Sequence, residues 1–197
     1  MWKVGIMAVA IPFSLCLSAF CEEEVTNPRG FALGFSIGQR AGDVAASLNV
    51  TSPYIHIKRS PNPRSWGAIR ISGDCRIKTA TPTEGTADSM FSYFTARVGF
   101  VGAIEVSNMI RMYEEIGCVS VFPTAELASS TKPCFGGYAY LGSEVFLGKN
   151  LLTKNTSIFM EIGFDTETFS MHRFDKLVNS PIVGWGATAC AGGRFYL

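Results

Sequence analysis

The sequence has no excess of either charge, little histidine and, beyond its first 20 residues, no long apolar run. Its 197 residues include 17 lysines and arginines, 16 acidic residues and two histidines. A nearly neutral chain offers little attraction to a phosphate backbone, so we expect no nucleic-acid partner. A membrane-spanning helix needs about 18 or more consecutive apolar residues, which residues 21–197 do not contain. The sequence therefore excludes a basic nucleic-acid binder and a membrane-spanning helix within residues 21–197.

No Cys-x-x-Cys pair occurs, although the chain has six cysteines. Structural zinc sites use closely spaced cysteine or histidine ligands, so the sequence predicts no metal site and no other cofactor. An exported chain can form disulfides, and Cys118 and Cys134, which flank one predicted loop, are the first pair to test. The alternative is that these two residues, with Cys75 and Cys190, are small apolar side chains on strands. The spacing does not decide between the two.

The first residues have the organisation of a secretory signal peptide. Lys3 precedes an uncharged apolar run over residues 4–20, and small residues end at Ala19. This predicts a signal peptide of residues 1–19 and a mature domain of residues 20–197. An anchoring helix is an alternative, but the run is shorter than about 20 residues and Pro12 interrupts it. A second alternative is a lipoprotein signal in which Cys21 is lipidated. A small residue is expected directly before such a cysteine, whereas Phe20 is bulky.

The last 15 residues, VGWGATACAGGRFYL, alternate with a period of two. A period of two is the signature of a β-strand, and one face of this one is wholly apolar: Val183, Trp185, Ala187, Ala189, Ala191, Gly193, Phe195 and Leu197. Strands of soluble proteins average about 5–6 residues, whereas a strand that crosses a membrane needs about 9–11. The ending therefore predicts the closing strand of a small membrane barrel.

Seven earlier segments carry the same alternation, at residues 29–40, 44–58, 66–79, 90–104, 109–122, 134–148 and 156–166. Pro53 interrupts the second segment and implies a bulge or an edge. The fifth, MIRMYEEIGCVSVF, could form a short helix, but Val119, Val121 and Phe122 favour a strand. Eight strands, 20 glycines and 15 phenylalanines predict an all-β fold, an antiparallel up-and-down transmembrane barrel of eight strands.

Outer-membrane barrels alternate short periplasmic turns with longer external loops, so the long polar connections at residues 79–88, 123–133 and 167–181 are predicted to form the external surface. The first connection should also be external, but it is short and is an exception to this rule. The last of these loops carries Phe169, Met171 and Phe174 among charged residues. Exposed apolar side chains on a loop can mark a binding site for a ligand or host molecule. The alternative is that they pack over the mouth of the barrel.

Charged residues lie on the less apolar face of several strands. They are Arg70, Asp74, Arg76, Lys78 and Arg97 on the third and fourth strands, and Glu144, Glu161, Asp165 and Arg194 on the last three. Because the last three strands are neighbours, we expect Glu144, Glu161 and Arg194 to meet in one layer of the interior. Buried charges persist only when paired, so these residues are predicted to form a salt-bridge plug, or alternatively a gate in a narrow pore.

The whole pattern resembles the small outer-membrane β-barrels of the OmpA, OmpX, OmpW and opacity-protein type. The ending Phe195-Tyr196-Leu197 is similar to the terminal signal that the barrel-assembly machinery reads, although the usual last residue is Phe or Trp. The resemblance implies a monomer in outer-membrane lipid, folded by that machinery.

One class of barrel enzymes, the lipid A deacylases, resembles this architecture and uses a His with a nearby Ser and a Glu. Neither His56 nor His172 has a serine two residues later, so we expect no catalysis. Two alternatives remain for a non-catalytic barrel. One is a transport barrel for small apolar solutes, and the other is a soluble lipocalin-like barrel with apolar residues inside.

Overall fold

The protein is described by a computed structural model that covers residues 28–58, 60, 64–85, 87–148, 155–166, 174–178 and 185–197. The predicted signal peptide and Cys21 lie outside these residues. The strands are β1 (Ala32–Arg40), β2 (Asp43–Thr51), β3 (Ile55–His56), β4 (Ser65–Ala80), β5 (Ser89–Glu105), β6 (Ile110–Phe122), β7 (Cys134–Phe146), β8 (Thr156–Thr166) and β9 (Trp185–Tyr196). None of the described residues belongs to a helix with the length and apolarity to cross a membrane.

Eight long strands close into an antiparallel barrel. Each pairs with its neighbours in sequence, β1 pairs with β9 to complete the ring, and β2 pairs with β4. This confirms the predicted all-β, up-and-down architecture. The segment at 109–122, for which a helix was the alternative, is the regular strand β6.

The short strand β3 continues the edge of β2 after an interruption at Pro53. Val44 lies opposite Ile77 on β4 and Thr51 opposite Arg70, but Ile55 lies opposite Gly67, one residue out of step with that register. A one-residue slip of this kind is a β-bulge. The predicted bulge is thus present, and the chain after it pairs with the start of β4 in the same sheet.

An even number of strands brings the start of β1 and the end of β9 to one end of the barrel, here called the terminal end. The described residues between strands at the opposite loop end are 41–42, 81–85, 87–88, 123–133 and 174–178. Its first connection is only Ala41 and Gly42, with positive φ of 52° and 91°, as a tight hairpin turn requires. The expected short first connection and three longer ones are therefore observed.

The two faces of the wall differ sharply in polarity. The outer face exposes large apolar side chains on every long strand, for example Leu48 at 72% and Ile116 at 66%. On β9 the outer-facing residues from Ala187 to Gly193 are small, and the exposed Phe195 follows them. The alternation in sequence explains this arrangement, because successive side chains of a strand point to opposite faces.

The interior is filled in three layers. Near the terminal end is a base cluster of Ala32, Tyr54, Ala68, Val101, Ala103, Tyr113, Phe146 and Tyr196. Near the loop end is a mouth cluster of Phe91, Tyr93, Val119, Val121, Leu127, Tyr138, Tyr140, Phe174 and Leu177. The charged side chains lie between and among these clusters.

Candidate functional site: the charged interior and its cap

Six arginines and six carboxylates are buried among the described residues of the barrel. They are Arg40, Arg70, Arg76, Arg97, Arg111 and Arg194, with Asp43, Asp74, Glu115, Glu144, Glu161 and Asp165. The charges of the two sets balance. Because burying an unpaired ion costs several kcal/mol, their mutual contacts decide whether this interior is a stable core.

Glu161 on β8 is the centre of the network. Its carboxylate accepts hydrogen bonds from Arg70 at 2.8 Å and Arg194 at 3.1 Å, and Arg40 lies 3.4 Å away. The hydroxyl of Tyr113 donates to it at 2.9 Å. Three cations and a phenol thus surround one carboxylate, which is the kind of satisfied geometry that makes a buried charge tolerable.

Glu144 forms the next group toward the terminal end. Arg194 lies 3.3 Å from its carboxylate and Arg111 lies 3.6 Å away. The hydroxyl of Tyr196 donates to it at 2.6 Å, and Ser157 also donates. Glu144, Glu161 and Arg194 therefore meet through Arg194, which contacts both carboxylates, as their positions on three consecutive strands predicted.

Asp74 and Asp165 form the group toward the loop end. Asp74 accepts from Arg97 at 2.8 Å and from Arg76 at 3.2 Å. Arg76 also donates to Asp165 at 2.9 Å, and Tyr140 donates to the same carboxylate. The predicted residues Arg97 and Asp165 thus belong to this group, while Arg70 belongs to the central one.

Several members of the network escaped the sequence reasoning, namely Arg40, Asp43, Arg111 and Glu115. Arg40 and Asp43 sit at a strand end beside the tight turn, where alternation is hard to read. Arg111 and Glu115 lie in the segment for which a helix remained possible. Reading that segment with a period of two would have placed both on the face of Tyr113, and the structure buries all three.

Contacts among the described residues cross both ends of the charged interior. At the terminal end Arg111 donates to the carbonyl of Pro28 at 2.8 Å, and the backbone N–H of Tyr54 donates to Arg29 at 2.8 Å. At the loop end Lys78 pairs with Asp43 at 2.9 Å beneath the mouth cluster. This geometry agrees with a salt-bridge plug, whereas a gate would require several of these contacts to break together.

The loop end carries a cap made from three connections, residues 81–85, 123–133 and 174–178. Leu177 forms a β-bridge with Pro82, and the backbone N–H of Lys176 donates to Leu127 at 3.3 Å. The backbone N–H of Ser129 donates to the Asp175 carboxylate at 2.8 Å. The cap is therefore held by contacts between its loops as well as by apolar packing.

Of the apolar residues proposed as loop binding candidates, only Phe174 lies within the described residues. Its ring is buried and meets that of Tyr93 edge-on, with centroids 5.2 Å apart. Phe174 therefore packs into the mouth instead of presenting an exposed contact, because Leu177 and the neighbouring loops fold over it. Phe169 and Met171 lie outside the described residues.

The suggested disulfide between Cys118 and Cys134 is wrong for this fold. Cys118 lies opposite Gly137 and Cys134 opposite Val121 in the β6–β7 ladder. A stagger of three residues separates them by about 10 Å at about 3.3 Å per residue, and a disulfide needs Cα atoms within about 7 Å. Both thiols are free, as are those of Cys75 and Cys190.

The terminal residues divide between the two faces. Phe195 and Leu197 are exposed on the outside of the barrel, whereas Tyr196 is buried in the base cluster. His56 is exposed on β3 and contacts the ring of Trp66, while His172 lies outside the described residues. Among the residues that the structure describes, no three His, Cys, Asp or Glu side chains form a group that could hold a metal ion.

The Asp175 contact in the cap gives a pH-dependent prediction. The Ser129 N–H holds the pKa of Asp175 below its usual range, so the contact is complete above the ordinary carboxylate pKa of about 4. As the pH falls through the lowered pKa, we expect the contact to be lost. An NMR titration of the Ser129 amide proton tests this, with Asp175→Asn as the control that should abolish the transition. A resonance that follows an ordinary carboxylate pKa would contradict it.

Comparisons with known proteins add no relative: no family model, no curated protein and no solved structure matches the chain. The functional argument therefore depends on the polarity and packing of the barrel itself.

Proposed function

We propose that the chain is a bacterial outer-membrane β-barrel that acts through its external loops and not through its interior. The observation that carries the proposal is the polarity of the wall, which is apolar outside and charged inside. An apolar outer surface is costly in water but favourable against lipid chains. Paired charges in the interior supply the polar core that small barrels of this type use.

The height of the apolar belt fits a bilayer. On β5 it extends from Phe94 to Ile104, both exposed on the outside. Ten residues at about 3.3 Å each, tilted by about 40°, span about 25 Å, which matches the apolar band of outer-membrane barrels. In this orientation the capped loops face outward, and Phe195 and Leu197 lie where the barrel-assembly machinery would read the last strand.

A lipocalin-like barrel is less well supported, because it would place apolar side chains inside and polar ones outside. The pore alternative is also less well supported, since the base and mouth clusters and the ion pairs between them fill the interior. The polar, exposed residues of the cap, such as Glu84, Glu126 and Lys132, remain as the surface for a ligand or host molecule.

Heat-modifiability tests the proposal. The membrane fraction is solubilised in detergent, and the protein is run on a gel with and without heating. We expect the unheated form to migrate faster and to fractionate with the outer membrane. Reconstituted in liposomes, it should conduct no ions above the level of empty vesicles. Solubility without detergent and no gel shift would overturn the membrane assignment, and steady single-channel conductance would overturn the closed interior.

A further inference from the structure

Glu114 on β6 is the one charged side chain on the outer face of the described barrel strands. It is flanked on its own strand by Met112 and Ile116, both exposed and apolar. The described part of the chain offers its carboxylate no hydrogen bond or ion pair. An ionisable residue at a lipid-facing position is costly and is by default a functional candidate that needs a partner.

The carboxylate lies in a groove on the outer wall with a volume of about 440 Å³. Apolar side chains and glycines form most of its lining, including Ile57, Met112, Leu141, Gly102 and Gly142. Glu114 itself lies over Gly102, where an added Cβ would come within 3.1 Å of its Oε1. The groove thus combines an unpaired acid with an apolar channel of the kind that an acyl chain can occupy.

The position of the groove is near the terminal end of the apolar belt. Glu114 is four residues beyond Ile110, the start of β6, which places it about 10 Å from the strand's start as measured along the barrel axis. Ile57 on one side of the groove is held against the wall, because its N–H donates to Ser65 at 3.0 Å. The next residue, Lys58, is exposed, so a cation directly follows in sequence a residue that lines the groove.

We propose that this groove binds a glycerophospholipid with a primary ammonium headgroup, as in phosphatidylethanolamine. The inference rests on the proposed function, because only a barrel in a bilayer meets such a lipid. The ammonium donates charge-assisted hydrogen bonds to Glu114, the phosphate faces Lys58, and one acyl chain lies along Met112 and Leu141. The lipid thereby pairs the one outer-face charge that the described residues leave without a partner.

The test measures lipid retention by native mass spectrometry. The full-length mature protein is reconstituted in vesicles with equal parts of phosphatidylethanolamine, phosphatidylcholine and phosphatidylglycerol, then released in mild detergent. We expect one phosphatidylethanolamine per barrel, retained at least about fivefold over phosphatidylcholine, whose quaternary ammonium has no N–H to donate. Glu114→Gln keeps the side-chain shape and removes a charge from the belt, so it should fold and lose the preference. Glu84→Gln, an exposed acid at the loop end, is the matched control and should keep it.

The outcomes separate this inference from the proposed function. Equal retention of the three lipids, or an unchanged preference in Glu114→Gln, overturns the lipid site while the inserted barrel stands. Preferential retention of phosphatidylglycerol also overturns it, because an anionic headgroup would be selected by Lys58 alone. Failure of the wild-type protein to enter vesicles or to show a heat shift overturns both proposals.

Discussion

Glu161→Ala should lower the free energy of unfolding of the barrel by about 3–5 kcal/mol. The substitution removes the carboxylate that Arg40, Arg70 and Arg194 share. Arg70 keeps Glu115 and Arg194 keeps Glu144, but three buried cations then share less negative charge. Leaving a buried charge uncompensated is more costly than removing a whole ion pair, which is why one small substitution has so large an effect.

Urea unfolding of the protein in detergent micelles or vesicles, followed by the heat-shift gel, measures this effect. Glu161→Gln keeps the shape of the side chain and loses its charge, so its free energy of unfolding should lie between those of the wild type and the alanine variant. Glu126→Ala, at an exposed position in the cap, is the control and should change stability by less than about 0.5 kcal/mol. If the alanine variant unfolds at the wild-type urea concentration, the charged interior does not hold the barrel together.

An arginine in place of Val98 should destabilise the membrane-embedded barrel by about 2–4 kcal/mol. Val98 is 50% exposed on the outside of β5, near the middle of the belt and opposite Ile71 and Cys118 on its neighbours. In lipid the guanidinium would lose its hydration with no partner nearby. In a water-soluble barrel the same substitution at an exposed position would be nearly neutral.

Val178→Arg is the matched control, because Val178 is similarly exposed, at 44%, but lies in the cap at the loop end. Both variants are folded into vesicles, and the folded fraction and urea midpoint are compared. We expect a large loss for Val98→Arg and little change for Val178→Arg. Equal and small effects would mean that the belt faces water, and the lipocalin-like alternative would then gain support.

The division of the residues between the two faces was predictable because it follows from the backbone of a single strand. Side chains alternate whatever the strand pairs with, so Leu48 and Ile162 could be assigned outside and Glu144 and Arg194 inside from the sequence. The same local rule predicted the number of strands, and the proline at position 53 predicted a bulge or an edge. The prediction was weakest at Arg111 and Glu115, because the apolar residues of that segment fit both the period of a strand and the period of a helix.

Pairing between side chains could not be predicted in the same way, since it depends on the register of strands that are distant in sequence. Arg70 reaches Glu161 across the interior, 91 residues away along the chain, and no local pattern encodes that contact. The Cys118–Cys134 suggestion failed for this reason, because two residues that flank one loop are brought together only if the hairpin register aligns them.

By itself the sequence determined the fold class, the eight strands and the polarity of the wall, because period-two alternation is a property of each strand alone. Only the tertiary structure decided which arginine meets which carboxylate, how Phe174 and Leu177 pack in the mouth, and that Glu114 lies in an outer groove with no ion pair to any described residue. These features arise when the register closes around the ring and brings distant side chains within a few ångströms of one another, where charge and shape then select the contacts.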